Sequence, residues 1–530
     1  MRLFYRGIFV TLVLVSSFPH LTAREVFPKI YQDNKSEGLV TLIIDDNMTL
    51  SLEETSPILK IVNVVVYNSN SKVSREVNIN ELRAKTYVDF VKDAVVLILL
   101  DKGLCVKGYI GLDLEIVCHD DGTPDEEGTF PHRLTRRDQT PFLQFGYDIA
   151  DDEATNNIFG NIAYSLKKLG TLKKRILPIS ERTSETNVFA GPVKGTIESA
   201  VVVSEELAST FKNNDEIDIH DILVHLSLVF IRVNQIYWKT DTHILDLQVV
   251  ITNVLVLQEW TEIVLYRRFD KKIMASTLYQ LKDFIRENHV LDKDDVVVYL
   301  SRQEIVKPAF GRGFEILRGS SRIGGACSEF RGALVSDDRD VLATAMTTAH
   351  ELLHLVGAVH DGSLAPANLP GSPGASECPD DTKHVMSTWT NKTMLPMSTC
   401  TVQQVLSFLK SGKGECLLNS EKRDLALPTS ANIKSVVIDG SKYCTFLHKS
   451  AKEVEFIENY HDHHSIEGCI LVCKTTDEEG EKIHHIHIAP DYTACGVTSD
   501  GRTKICLNSM CIPHPAAPKP IHSIPEKITQ

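Results

Sequence analysis

The sequence predicts an α/β protein with a β-rich region ahead of it and a small disulfide-rich module behind it. Three observations carry this. Residues 24–175 alternate strand-like apolar runs with polar turns, and from Ile197 strand-like runs alternate with amphipathic helical ones. Six of the twelve cysteines then crowd together near the end: Cys444, Cys469, Cys473, Cys495, Cys506 and Cys511. A length of 530 residues leaves room for three or four domains, and 43% hydrophobic with 24% charged residues excludes wholesale disorder. The net charge is −14 and no basic stripe stands out, so nucleic acid is not an expected partner.

The chain opens MRLFYRGIFVTLVLVSSFPHLTA. Arg2 and Arg6 precede an apolar stretch from Gly7 to Val15, and small residues follow near Ala23. That order is the form of a secretory signal peptide over 1–23, too short for a membrane span. No later apolar run is read as reaching span length, so the mature chain is expected to be soluble and secreted, without a membrane anchor. An oxidising compartment makes its cysteines disulfides. Asn34, Asn47 and Asn391 head Asn-x-Ser/Thr sequons and are candidate glycan sites.

Within 24–175, LVTLIID, ILKIVNVVVY and AVVLILL read as strands. Two basic clusters follow, at Arg133, Arg136 and Arg137 and at Lys173-Lys174-Arg175. They are either solvated surface charge or places where a pro-domain, 24–175, is cut away. Further on, IESAVVVS, ILDLQVVITNVLVL and DDVVVYLS read as strands, and DIHDILVHLSLVFIRVNQIYW and MASTLYQLKDFIRENHV as the helices between them. VLATAMTTAHELLHLVG is a helix that Gly357 can end, because glycine accepts the left-handed turn conformation. A last helix, TVQQVLSFLKSG, closes this region near Cys416. A polar linker, the cysteine-rich module at 430–513 and a Pro-rich tail at 514–530 complete the chain.

Residues 350–360 read HELLHLVGAVH. His350 and His354 are four apart, so a helix projects both from one face, one turn apart. Glu351 stands beside the first, and Gly357 allows the chain to turn back so that His360 can join them. Zinc takes neutral imidazole nitrogens in a tetrahedral set, and a catalytic zinc leaves one position for water. A carboxylate adjacent to a ligand can serve that water as a base. Chance would produce this eleven-residue pattern on the order of 10⁻⁴ times in a chain of this length, so a set of unrelated core histidines is the weaker reading.

HELLHLVGAVH resembles the zinc signature of the metzincins, and Met386 in HVMS resembles the methionine turn beneath the zinc in that clan. Asp361 after the third histidine is similar to the reprolysin (adamalysin) pattern, as are Ser387, Thr388 and Trp389, which lack the tyrosine that astacins place there. The resemblance spans roughly 195–419. It implies a metzincin catalytic domain, a mixed sheet with a zinc-binding active-site helix, over 176–419. It also implies zinc on His350, His354 and His360, Glu351 as general base, and disulfides Cys327–Cys416 and Cys378–Cys400. A structural calcium on Glu198, Asp295 and Asn419, as in some relatives, is the further cofactor it suggests.

The module YTACGVTSDGRTKICLNSMCI resembles part of the secreted thrombospondin-repeat relatives, and the whole architecture resembles salivary metalloproteases of blood-feeding ticks. The implied partners are extracellular matrix or plasma proteins such as fibrinogen, as substrates. Relatives hold a zinc-blocking cysteine near the end of the pro-segment; here the only candidates are Cys105 and Cys118, for which a mutual disulfide is the preferred expectation. A second reading of the chain is a secreted binding antagonist of a receptor or matrix protein, acting through the cysteine-rich module.

Overall fold

The computed structural model describes residues 23–137, 143–144, 193–418 and 437–514, except 33–38, 56–57, 69–70, 79–83, 101–102, 120–121, 214–215, 241–243, 259–271, 310–312, 391–394, 462–463, 477–479, 500 and 508–509. Residues 1–22 of the expected signal segment 1–23, the basic cluster at 173–175, the expected linker and the Pro-rich tail beyond 514 fall outside it.

Residues 24–136 build an antiparallel sheet of nine strands. The order is Arg24–Val26, His132–Arg136, Leu114–Cys118, Cys105–Ile110, Ala94–Leu99, Ala84–Asp89, Met48–Glu54, Leu39–Asp45 and Lys29–Tyr31. Leu42, Leu50, Val96, Val106 and Ile116 form its core, and Cys105 is bonded to Cys118.

One hairpin of this region leaves that sheet. Strands β1 (Ile58–Asn68) and β2 (Ser71–Asn78) instead join the sheet of the α/β region. That sheet contains β3 (Val193–Val203), β4 (Leu245–Leu257), β5 (Val296–Ser301), β6 (Gly319–Ser321) and β7 (Gly332–Ser336). The order is β6–β7–β5–β3–β4–β1–β2, with β6 and β2 as antiparallel edges of a parallel centre. The sequence reading kept the two regions apart and did not contain this pairing.

The central strands read as near-continuous apolar runs because both faces are covered. Ile197, Val201 and Val203 of β3 face the core shared with helices α1 (Ile219–Trp238) and α3 (Val341–Leu355). Ala200 and Val202 face the other side, with Leu281 and Ile285 of α2 (Thr277–Glu287). Helix α4 (Thr399–Lys410) packs Val405, Phe408 and Leu409 into the first of these cores.

Helix α1 corrects one expectation. It has the length and apolarity of a membrane span, although the sequence is expected to hold no such run. The helix is a core element, most of it buried inside the fold. Its far side rests on the nine-stranded sheet. Arg232, fully buried, donates to the carbonyls of Asp93 and Tyr109, the latter at 3.0 Å, and Gln235 donates to Ala94 O at 3.3 Å.

The C-terminal module joins helix α5 (Gly440–Leu447) to a sheet containing β8 (Ile470–Thr476) and β9 (Lys482–Ile488). Six cysteines admit fifteen pairings. The bonds are Cys444–Cys473, Cys469–Cys506 and Cys495–Cys511. The module packs on the N-terminal region: the Tyr31 ring lies 5.3 Å from that of Tyr443 and 4.9 Å from that of Phe446, and Lys92 is paired with Asp491.

The shared sheet has a consequence for processing. Ile58, Val62, Val64 and Val65 are buried between the two regions, and their removal would expose them together with an unpaired β4 edge. After a cut behind Arg175, the N-terminal and protease-sized pieces are expected to co-elute in size-exclusion chromatography. Separate elution would show that the strand pairing does not persist.

Candidate metal centre

Helix α3 begins at Asp340, whose carboxylate accepts from the backbone N–H groups of Leu342 and Ala343, and it carries His350, Glu351 and His354 in its last turns. It ends abruptly. Gly357 N–H donates to His354 O at 3.0 Å and Ala358 N–H to Leu353 O at 2.9 Å, the paired bonds of a helix stop with its left-handed residue at Gly357, φ +97°. A Cβ at Gly357 would also sit 3.0 Å from Phe408 Cβ, so glycine answers both the turn and the packing. The chain then brings back His360.

The three imidazoles meet there. The rings of His350, His354 and His360 lie 4.6, 4.8 and 5.0 Å apart, their ligand atoms all fall within 4.8 Å of one another, and His350 Nε2 is 3.0 Å from His360 Nε2. Backbone carbonyls select the tautomers. His350 Nδ1 lies 2.6 Å from Val385 O and His354 Nδ1 2.8 Å from Ala358 O, so each Nδ1–H donates and each Nε2 presents its lone pair inward. Burial, reinforced by the other two rings, holds His350 well below the usual imidazole range and keeps it neutral. This donor set is the one zinc takes.

Met386 is fully buried, and its carbonyl accepts from Asp361 N–H at 2.9 Å. Asp361 in turn accepts from Ser398 Oγ at 2.7 Å, which ties the segment after His360 to the start of α4. Cys378 is bonded to Cys400 and Cys327 to Cys416, so the long loop and α4 are both fastened to the site's frame. Trp389–Thr390 forms a two-residue antiparallel pair with Leu143–Gln144 from the N-terminal side.

Asn47 lies exposed at the turn after Leu39–Asp45, while Asn34 and Asn391 lie outside the described residues. Glu198 and Asp295 are together, with Glu198 N–H donating to Asp295 Oδ2 at 2.9 Å; Asn419 lies outside the described residues. All twelve cysteines are in disulfides, so neither Cys105 nor Cys118 offers a thiolate to a metal.

Two groups at the site escaped the sequence reading. Ser321, on the edge strand β6, donates to Glu351 Oε2 at 2.6 Å, and a Cβ on Gly319 would collide with Glu351 Oε1 at 2.4 Å. Nothing local in RGSSRIGG marks these residues, because the contact is made thirty residues away in sequence.

Residues 197–421 match the family profile described as Reprolysin (M12B) family zinc metalloprotease. The α/β region is a reprolysin catalytic domain. The chain is also similar to venom metalloproteinase antarease TserMP_A of Tityus serrulatus, 23% identical over 422 residues that cover 77% of this chain and 96% of that protein. A disintegrin and metalloproteinase with thrombospondin motifs 1 of Mus musculus is 24% identical over 302 residues, 55% of this chain and 28% of the mouse protein. With this family and these relatives, the chain is a metalloendopeptidase of the reprolysin type.

The reprolysin domain holds its metal helix to α1 through a buried pair. His225 Nε2 lies 2.8 Å from Asp337 Oδ2, Thr344 Oγ1 donates to Asp337 Oδ1 at 3.0 Å, and Tyr237 OH donates to Ala349 O at 3.1 Å. Burial pushes the Asp337 carboxyl up, but His225 and the hydrogen bonds outweigh it and hold the group below its usual value. Its contribution to stability is therefore complete above the ordinary carboxylate pKa and is lost as pH falls through the lowered one. Asp337→Ala leaves His225 buried without its partner and is expected to cost about 3–5 kcal/mol in denaturant unfolding. A loss below about 1 kcal/mol would show that the pair does not anchor α3.

Proposed function

We propose that the chain is a secreted zinc endopeptidase hydrolysing peptide bonds in extracellular proteins, among them matrix or plasma proteins such as fibrinogen. The observation that carries this is the convergence of three buried imidazoles on one point, with Glu351 next to the first. Zinc bound there would polarise the scissile carbonyl and make a water acidic enough to attack at neutral pH. His350, His354 and His360 would hold it through Nε2. Glu351 takes the proton of the attacking water on its carboxylate and later passes it to the leaving amine. Ser321 holds one oxygen of that carboxylate by its hydroxyl, and Gly319 leaves room for the other. Met386, fully buried, would be the apolar floor beneath the imidazoles.

Strand β6 supports the substrate reading. It is the edge of its sheet and carries Ser321 beside Glu351, so an extended peptide that adds to this edge lies alongside the base. Six disulfides support secretion, since they persist in oxidising compartments. The pairing of Leu143–Gln144 with Trp389–Thr390, three residues beyond Met386, supports a pro-segment whose chain lies against the rim of the site. Latency then rests on occupancy of that rim rather than on a cysteine ligand.

We further propose a structural calcium on Glu198, Asp295 and Asn419. Burial, together with the charges of Glu198 and Asp294, lifts the Asp295 carboxyl to about 7, and a cation there relieves that strain. Two variants and one metal analysis test the whole assignment. Glu351→Ala is expected to retain zinc and calcium and to lose peptide cleavage by at least about a hundredfold. His354→Ala is expected to lose zinc while keeping calcium, because two imidazoles rarely hold a catalytic zinc. Undiminished hydrolysis by Glu351→Ala with zinc in place would rule out its role as base, and a calcium-free parent protein would rule out the second cation.

A further inference from the structure

Between the strands Ala84–Asp89 and Ala94–Leu99 of the nine-stranded sheet lies a turn at 90–93. Buried Asp89 fixes its shape. Its carboxylate accepts from the backbone N–H groups of Val91 and Lys92, each at 2.9 Å, and from that of Ser51 at 2.8 Å. The turn serves two neighbours. The Phe90 ring lies 5.4 Å from that of Trp238 at the end of α1, the Asp93 carboxylate accepts from Lys239 Nζ at 2.7 Å, and the Asp93 carbonyl receives Arg232. Lys92, between Phe90 and Asp93, pairs instead with the buried Asp491 of the C-terminal module.

The sheet repeats this division. Successive side chains along a strand point to opposite faces. Tyr87 and Val96 join the sheet's own core, while Val88, Val95 and Tyr109 join the core around α1. Further out in the sheet, Leu42 and Ile44 again join its own core. Ile43 and Tyr31 join the core of the module instead, with Tyr443, Leu471 and Tyr492. Tyr31 stands edge-on to Tyr443 and Phe446 of α5, and Ser51 Oγ donates to Asp491 O at 3.4 Å.

From this arrangement we infer that the N-terminal region is the mount of the C-terminal module: Tyr31, Ile43 and Lys92 hold the module, which is joined noncovalently to the reprolysin domain through them. The centre of the seam is aromatic and apolar, the composition that dominates binding energy where two protein surfaces meet. Its ion pair is buried on the Asp491 side, so an anion in place of Lys92 sets like charge against a buried carboxylate. The turn that carries Lys92 also carries Phe90 and Asp93, so the module is registered to α1, and Tyr237 of α1 donates to Ala349 O of the metal helix. The region therefore has a task that outlasts latency. A cut that let it leave would also unseat the module.

A protease-recognition sequence inserted between Leu418 and Val437 of the full chain tests this without reference to activity, because cutting it removes the covalent tie to the module. After the cut, the module is expected to co-elute with the rest of the chain in size-exclusion chromatography. In the double variant Tyr31→Ala, Lys92→Glu, with both changes in the N-terminal region, it is expected to elute separately. Circular dichroism of the uncut variant checks that the chain is folded. Lys92→Glu alone is expected to weaken the association by about tenfold or more, and Lys92→Arg, which keeps the cation, to leave it intact. A module that elutes apart from the otherwise unaltered chain overturns the mount. So does one that stays on in the folded double variant, which would place its attachment on the reprolysin domain. Equal loss from Lys92→Arg and Lys92→Glu overturns the part given to the ion pair.

Discussion

Three imidazoles reach one point only if the helix that carries two of them stops immediately and the chain doubles back. That constraint governs the reprolysin domain. Helix α3 stops at Leu355, Gly357 takes the left-handed conformation, and His360 arrives 3.0 Å from His350. The rest of the frame resists the cost of burying this cluster. Val385 and Ala358 carbonyls hold two ring tautomers, Asp361 ties the returning chain to Ser398, and His225 with Asp337 fixes α3 to α1. A helix one turn longer would carry His360 away from the other two, and the donor set would be lost.

The N-terminal region does more than precede the enzyme. Its hairpin β1–β2 continues the central sheet, its nine-stranded sheet receives the buried Arg232 of α1, and its Tyr31 edge seats the C-terminal module. It therefore touches both of the other parts of the chain. Cys105 is bonded to Cys118, so neither supplies a thiolate to the site. The strand pairing of β1 with β4 buries apolar surface over a long seam and does not depend on one bond.

Local patterns were legible in the sequence, and distant ones were not. HELLHLVGAVH placed two histidines on a helix face and a turn at Gly357 because these follow from spacing and glycine chemistry alone. The runs LVTLIID, AVVLILL and DDVVVYLS supply the strands Leu39–Asp45, Ala94–Leu99 and Val296–Ser301, since alternation or continuous apolarity reports how many faces are covered. ILKIVNVVVY also lies in a strand, but its own pattern does not say that it joins the sheet two hundred residues away. Ser321 and Gly319 are invisible for the same reason: their importance comes from Glu351, not from their neighbours. The three bonds of the C-terminal module needed the fold, because spacing permits every pairing. Helix α1 was legible at its full length, but not its span-like apolarity; a buried core helix and a membrane span share a composition, and only packing tells them apart.

The central claim is that one zinc sits on His350, His354 and His360 with a position left open beside Glu351. Anomalous scattering at the zinc edge from crystals of the chain tests it most directly. The expected map has a peak about 2.0–2.1 Å from all three Nε2 atoms, with a water as the remaining ligand within hydrogen-bond reach of Glu351. No peak among the three rings, or a fourth protein ligand closing the site, would contradict the account.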